Sequence, residues 1–97
     1  MEKRVPAFLL LLVFFSFSLS GCYYFGAKNQ MKTAESLISN LKNQGGERLV
    51  PYEYCSAEKF LELSRMEFDE YDYKQSKKFA ERATSAAQAG LAEVKKK

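Results

Sequence analysis

Residues 51–94 read PYEYCSAEKFLELSRMEFDEYDYKQSKKFAERATSAAQAGLAEV. Two apolar stripes meet across a short acidic break in this stretch. In the first, Tyr54, Ala57, Phe60, Leu61, Ser64, Phe68 and Tyr71 recur every three or four residues. That spacing gathers side chains on one face of an α-helix. It predicts a helix over 51–71, with Pro51 in the first turn, where a missing N–H is harmless. In the second stripe, Tyr73, Ser76, Ala80, Ala83, Ala87, Leu91 and Val94 share a face flanked by Phe79 and Ala86. It predicts a helix over 73–94. Asp72 fits the N-cap, because its carboxylate accepts free N–H groups and complements the positive dipole end. Lys95, Lys96 and Lys97 suit the negative C-terminal end. The second face is built of small residues, which allow close helix approach beneath the larger rings of the first.

The first of these helices carries another apolar patch, Tyr52, Leu63 and Met66. A middle helix touched by two neighbours shows such a double stripe. Two readings stand: core packing beneath a neighbour or beneath Leu49 and Val50, and a partner-binding surface. Upstream, Ala27, Met31, Ala34, Ile38 and Leu41, with Leu37 at the edge, form one more stripe over 27–44. Gly45-Gly46 ends it, since glycine accepts the left-handed conformation of a helix C-terminus. Glu47 to Val50 is a link. The expected class is all-α: a small three-helix bundle, or a helical hairpin plus an N-terminal helix, over 27–97.

Further upstream the pattern changes. Glu2, Lys3 and Arg4 precede a dense apolar run over 5–19. A charged start and a short apolar core lay out a secretory signal peptide over 1–21. The run is shorter than the ~20 apolar residues of a stable membrane span. Leu19-Ser20-Gly21-Cys22 follows, and it closely resembles the lipobox of bacterial lipoproteins. The resemblance implies cleavage before Cys22, a lipid on its sulfur and an acylated amine, palmitate being one such chain. The alternative is an uncleaved anchor with Cys22 as an ordinary thiol. Residues 22–26, CYYFG, then form the tether, with Tyr23, Tyr24 and Phe25 suited to the membrane–water interface or, alternatively, packed back on the helical domain. For a Gram-negative host the resemblance implies the periplasm-facing outer membrane, because Tyr23 replaces the Asp that retains such proteins at the inner membrane. For a Gram-positive host it implies the outer face of the plasma membrane.

Composition excludes much chemistry. Of 97 residues none is His or Trp and two are Cys. There is no imidazole base, no His-ligated zinc and no four-thiolate site. Fifteen Lys+Arg against 12 Asp+Glu leave a net charge of +3, with no basic stripe of interleaved aromatics for nucleic acid. Glu67, Asp69, Glu70 and Asp72 cluster but lack the alternation and glycine turn of a calcium loop. Serines have no base to activate them. No catalytic residue, metal ligand or cofactor is expected. Cys55, the thiol left once Cys22 is lipidated, is either a packing residue or an intermolecular disulfide.

Three further resemblances bear on function. Phe60, Leu63-Ser64, Tyr73, Ser76, Ala80 and Ala83 resemble one tetratricopeptide unit, with Ser64 where the repeat has glycine. A solenoid needs about three repeats, so this implies only a helical hairpin. Ala34, Tyr52-Glu53, Ser56-Ala57-Glu58, Leu61, Tyr71-Asp72-Tyr73 and Ala80-Glu81-Arg82-Ala83 resemble a family of small bacterial envelope proteins of unknown function. Some of its members sit beside or are fused to OmpA-like peptidoglycan-binding domains. That resemblance implies a periplasmic helical module with an envelope-protein partner, OmpA-like proteins included. The terminal Lys97 is similar to that of murein lipoproteins, whose last Lys is joined to peptidoglycan, although those are single heptad helices and Gly45, Gly46 and Pro51 interrupt this one. The expected function is a lipid-anchored structural or interaction module, with Cys22 as the lipidation site and Tyr52, Leu63 and Met66 as the partner surface. The alternative is a cell-wall tether acting through the C-terminal lysines.

Overall fold

The computed structural model describes the backbone of residues 4–97 and the side chains of residues 22–97. Among them there are four helices and no strand: α1, Arg4–Asn43; α2, Gly46–Leu49; α3, Pro51–Asp69; and α4, Tyr73–Lys96. The all-α class is as expected. The lipobox residues Leu19 to Gly21 lie in α1, and their side chains fall outside the described residues. Residues 22–26, expected as a tether ahead of the first helix, are instead part of α1. No strong breaker separates 22 from 43. Gly26 alone lowers helix propensity by about 1 kcal/mol relative to alanine, too little to end a helix that packs along its length.

Gly45 ends α1 with φ 80°, and its N–H donates to Lys42 O at 3.0 Å. The expected link is the single turn α2, and it delivers Val50 into the core at 3% exposure. Pro51 opens α3 as expected. That helix closes two residues early, at Asp69. Tyr71 N–H donates to Phe68 O and Asp72 N–H to Glu67 O, with Tyr71 at φ 65°. These paired bonds around a left-handed residue form a Schellman cap. Tyr71 therefore leaves the buried stripe and stands 80% exposed. Asp72 then caps α4, its carboxylate accepting from Gln75 N–H at 3.2 Å.

The chain runs down α1, back along α3 and down α4. Tyr24 of α1 meets Tyr73 at the start of α4, and Leu41 of α1 meets Gly90 near its end, so α1 and α4 are parallel. The core joins Ala34, Ile38 and Leu41 of α1 with Tyr54, Ala57 and Leu61 of α3 and Ala83 and Ala87 of α4. The double stripe on α3 predicted it as the middle helix; the middle helix is α4. Ala80, Ala83, Ala87 and Gly90 are buried. A Cβ on Gly90 would lie 2.8 Å from Leu41 Cδ2 and 3.2 Å from Glu53 Cβ, so α1 and α3 both press on this one residue. Small side chains let two neighbours approach the same helix.

Between α3 and α4, Ser64 and Ser76 face one another, both fully buried. Ser64 Oγ donates to Ser76 O at 2.6 Å, and Ser76 Oγ donates to Ser64 O at 2.8 Å. Each buried hydroxyl is thereby satisfied by the opposite backbone.

Candidate functional site

Cys22, the expected lipidation site, is exposed. It lies in α1 at the end of the bundle where α3 turns into α4. Two chain segments meet there. Tyr24 sits 5.3 Å from the Phe68 ring and 5.1 Å from Tyr73, and Phe68 and Tyr73 are 5.0 Å apart. These edge-on and tilted contacts suit the ring quadrupole and fasten α1 to the α3–α4 turn. Tyr24 thus packs back on the bundle. Phe25 is 65% exposed, and Tyr71 stands 6.4 Å from the Tyr73 ring. Tyr23, Tyr71 and Tyr73, with Asp72 and Lys74, enclose a shallow hollow of about 270 Å³. Lys77 Nζ lies 5.9 Å over the Tyr23 ring, and its stem covers Gly26 at 3.1 Å from where a Cβ would be. Lys28 Nζ lies 5.2 Å over Tyr24. Asp69, Glu70 and Asp72 are exposed around the same end. Of that acidic cluster, Asp72 has a visible task, the α4 cap. Among the described residues no group of three Cys, Asp or Glu side chains is placed to hold a metal ion.

Tyr52 and Met66 lie on the outward side of α3, 79% and 53% exposed, with Leu63 half-buried between them in sequence. Neither α1 nor α2 covers the two exposed members. The face is interrupted by charge: Lys59 Nζ and Glu62 Oε2 are 3.7 Å apart there and largely exposed. Cys55 is exposed on α3 as well, so of its two readings the buried packing residue does not hold. It lies near the start of α3, away from the turn end that carries Cys22, and both thiols are free.

A third feature follows from α4 being central. α1 and α3 each pack on α4 more extensively than on one another, and a groove runs between them. Its half nearer Cys22 is a hollow of about 400 Å³ lined by Phe25, Lys28, Met31, Lys32 and Phe68. The other half, about 470 Å³, is lined by Ile38, Lys42, Tyr54, Glu58 and Leu61. Arg65 and Glu35 line both halves and form an ion pair across the groove. The apolar stripes hide this groove because the aromatic-rich α3 reads as the middle helix; the run of Ala and Gly on α4 is the signal for it. In the second half the Tyr54 hydroxyl is pushed up to about 12 by its hydrogen bond to the Glu58 carboxylate, with burial acting in the same direction.

Among residues 22–97 no helix is long and apolar enough to cross a membrane. Comparison with protein-family models, with curated proteins and with solved structures finds no match to this chain.

Proposed function

We propose that this chain is a lipid-anchored helical module of a bacterial cell envelope, held by lipid on Cys22, and that it serves by docking another envelope protein. The observation that carries this reading is the exposure of Cys22 at one pole of a packed bundle, directly after a signal-like apolar run. Two or more acyl chains make a stable tether, since each buried CH2 contributes roughly 0.8 kcal/mol. The bundle then stands at the bilayer surface and offers its flanks. The outward face of α3, with Tyr52 and Met66, is the docking surface in this reading, and the protein has no turnover of its own. In a Gram-negative host the module faces the periplasm from the outer membrane.

The experiment is crosslinking in native envelopes with a photoreactive residue at position 52. A captured protein should disappear in Met66→Lys while the melting temperature holds, because Met66 is 53% exposed and such surface changes stay within about 0.5 kcal/mol. A Met66→Lys protein that keeps the complex refutes the docking face. Cys22→Ser should abolish fatty-acid labelling and leave the precursor uncut; normal labelling and cutting refute the anchor.

The cell-wall tether is favoured by one observation. Lys97 lies at the pole opposite Cys22, where its ammonium donates to Leu49 O at 3.0 Å. The α4 helix separates the two poles by about 36 Å at 1.5 Å per residue. Release of the protein from purified cell wall by muramidase, with sugar-peptide attached at Lys97, would decide for that reading over docking.

A further inference from the structure

The rings around Cys22 come from two distant stretches, 23–25 and 68–73, yet they share one end of the bundle. We propose that this end is a membrane-seating surface: Tyr71, Tyr23 and Phe25 sit in the headgroup layer of the bilayer and hold the bundle upright, its helices running away from the membrane.

Four observations converge. First, the described residues include four exposed large hydrophobic side chains, and two of them, Phe25 and Tyr71, are at this end, 65% and 80% exposed. Second, Tyr71 holds a left-handed backbone conformation at φ 65°. A Schellman cap normally uses glycine there, and a side chain in that region is strained. The cap ends α3 before Tyr71 and turns its ring outward at the tip, off the α3 stripe. Third, the occupant is set by where the chain goes. α1 extends beyond the tip to Arg4, and its sequence there is the apolar run 5–19. Before cleavage that segment leads into the membrane; after cleavage lipid on Cys22 does so. Either way the tip abuts the bilayer. Fourth, the charges balance. Asp69, Glu70 and Asp72 stand with Lys28, Lys74 and Lys77, so the surface is not a basic patch for anionic lipid. Tyrosine rings have the amphipathic character favoured at membrane–water interfaces, and the partner that fits is the zwitterionic headgroup layer itself.

The inference rests on the anchor reading above, and the two can fail separately. The chain has no Trp, so a single introduced indole reports its own surroundings. The test uses the protein as purified from the envelope of its host, reconstituted in phosphatidylcholine vesicles, with and without brominated acyl chains. Tyr71→Trp is the probe. Tyr52→Trp is the counterpart, equally exposed at 79% but near the opposite pole. That pole is about 28 Å away along α3 at 1.5 Å per residue. Both variants should keep the helical circular dichroism of the parent. The indole of Tyr71→Trp should show blue-shifted emission and strong quenching by brominated lipid, while that of Tyr52→Trp should show neither. A chain that does not float with the vesicles overturns the anchor and this inference with it. A floating Tyr71→Trp chain whose emission is unquenched overturns the inference alone. Equal quenching at both positions means the bundle lies flat and overturns it too. An indole at position 71 that is shielded from aqueous quencher only in native envelopes, with no effect of brominated lipid, assigns the tip to a protein partner and overturns it.

Discussion

Replacing Tyr71 by glycine should make the isolated bundle more stable. Tyr71 is the residue of the α3 cap that sits at φ 65°. An L-residue in the left-handed region carries a cost of roughly 1–2 kcal/mol, which glycine does not. Glycine returns part of that through its freer unfolded chain, about 0.4–1 kcal/mol. The ring itself contributes little to the fold, because it is 80% exposed and its nearest aromatic neighbour, Tyr73, is 6.4 Å away. The net expectation is a gain of roughly 0.5–1 kcal/mol. In a domain of this size 1 kcal/mol moves the melting temperature by about 4–8 °C. Thermal melts of residues 22–97 carrying Cys22→Ser, followed by circular dichroism, read this out. Tyr71→Ala is the control, since it removes the ring and keeps the strain; it should melt at or slightly below the parent. If Tyr71→Gly melts lower than the parent, or if Tyr71→Ala gains as much as Tyr71→Gly, the backbone does not carry the strain assigned to it. A gain for glycine would also sharpen the membrane-seating inference, because stability would then have been given up to present a ring at the tip.

Three other outcomes are expected. Ser64→Ala should cost about 1 kcal/mol through its lost hydrogen bond, and the Ser64→Ala, Ser76→Ala pair should cost less than the sum of the singles in denaturant melts, as the two hydroxyls share one contact. Ala83 is fully buried, so Ala83→Glu should cost several kcal/mol or fail to fold, whereas Lys78→Glu on the exposed side should change melting by less than about 0.5 kcal/mol. Tyr54 titrates near 12 in the fold against its ordinary 10.0. Its neutral form is favoured in the folded state, so that stability is complete below pH 10 and is lost as pH rises toward 12; Tyr54→Phe should flatten this alkaline loss in pH-dependent melts.

Most buried positions of the three long helices were legible because the stripes repeat at helical spacing, although Gly90, buried in α4, carries no apolar signal. Ala27, Ala34, Ile38 and Leu41, then Tyr54, Ala57, Leu61 and Ser64, then Ser76, Ala80, Ala83 and Ala87 are all buried in the fold. So were the signals made by single residues with one strong preference: Gly45 at positive φ, Pro51 at a first turn and Asp72 at a cap. What failed was anything that depends on which helix sits between the others. Alanine carries little hydrophobic signal, so α4 looked like a flank while the aromatic-rich α3 looked central. Packing rewards the reverse, because only a helix with small side chains admits a neighbour on two sides. The early end of α3 was hidden for a related reason: its cap uses tyrosine where glycine would have announced it. The aromatic tip was legible only in its first half, residues 23–25, since these meet residues 68–73 only through the parallel course of α1 and α4.

The same central helix divides the surface into parts that hold the fold and parts that are free for partners. Both main seams, α1 on α4 and α3 on α4, depend on Ala80, Ala83, Ala87 and Gly90, all buried, and at Gly90 even a Cβ collides with Leu41. The third side of the triangle, α1 against α3, is loosely closed. Its Arg65–Glu35 pair is about half exposed, at 55% and 48%, and an ion pair so placed contributes only about 0–1 kcal/mol. The outward face of α3 contributes still less to either seam. Tyr52, Cys55, Lys59 and Met66 can therefore vary in chemistry without disturbing the bundle, which is the physical requirement for a face that recognises a partner. At the poles the constraint differs again. The Cys22 end is fastened by the Tyr24, Phe68 and Tyr73 rings, which tie α1 to the α3–α4 turn. The groove between α1 and α3 belongs to neither seam, and the exposed Arg65–Glu35 pair spans it.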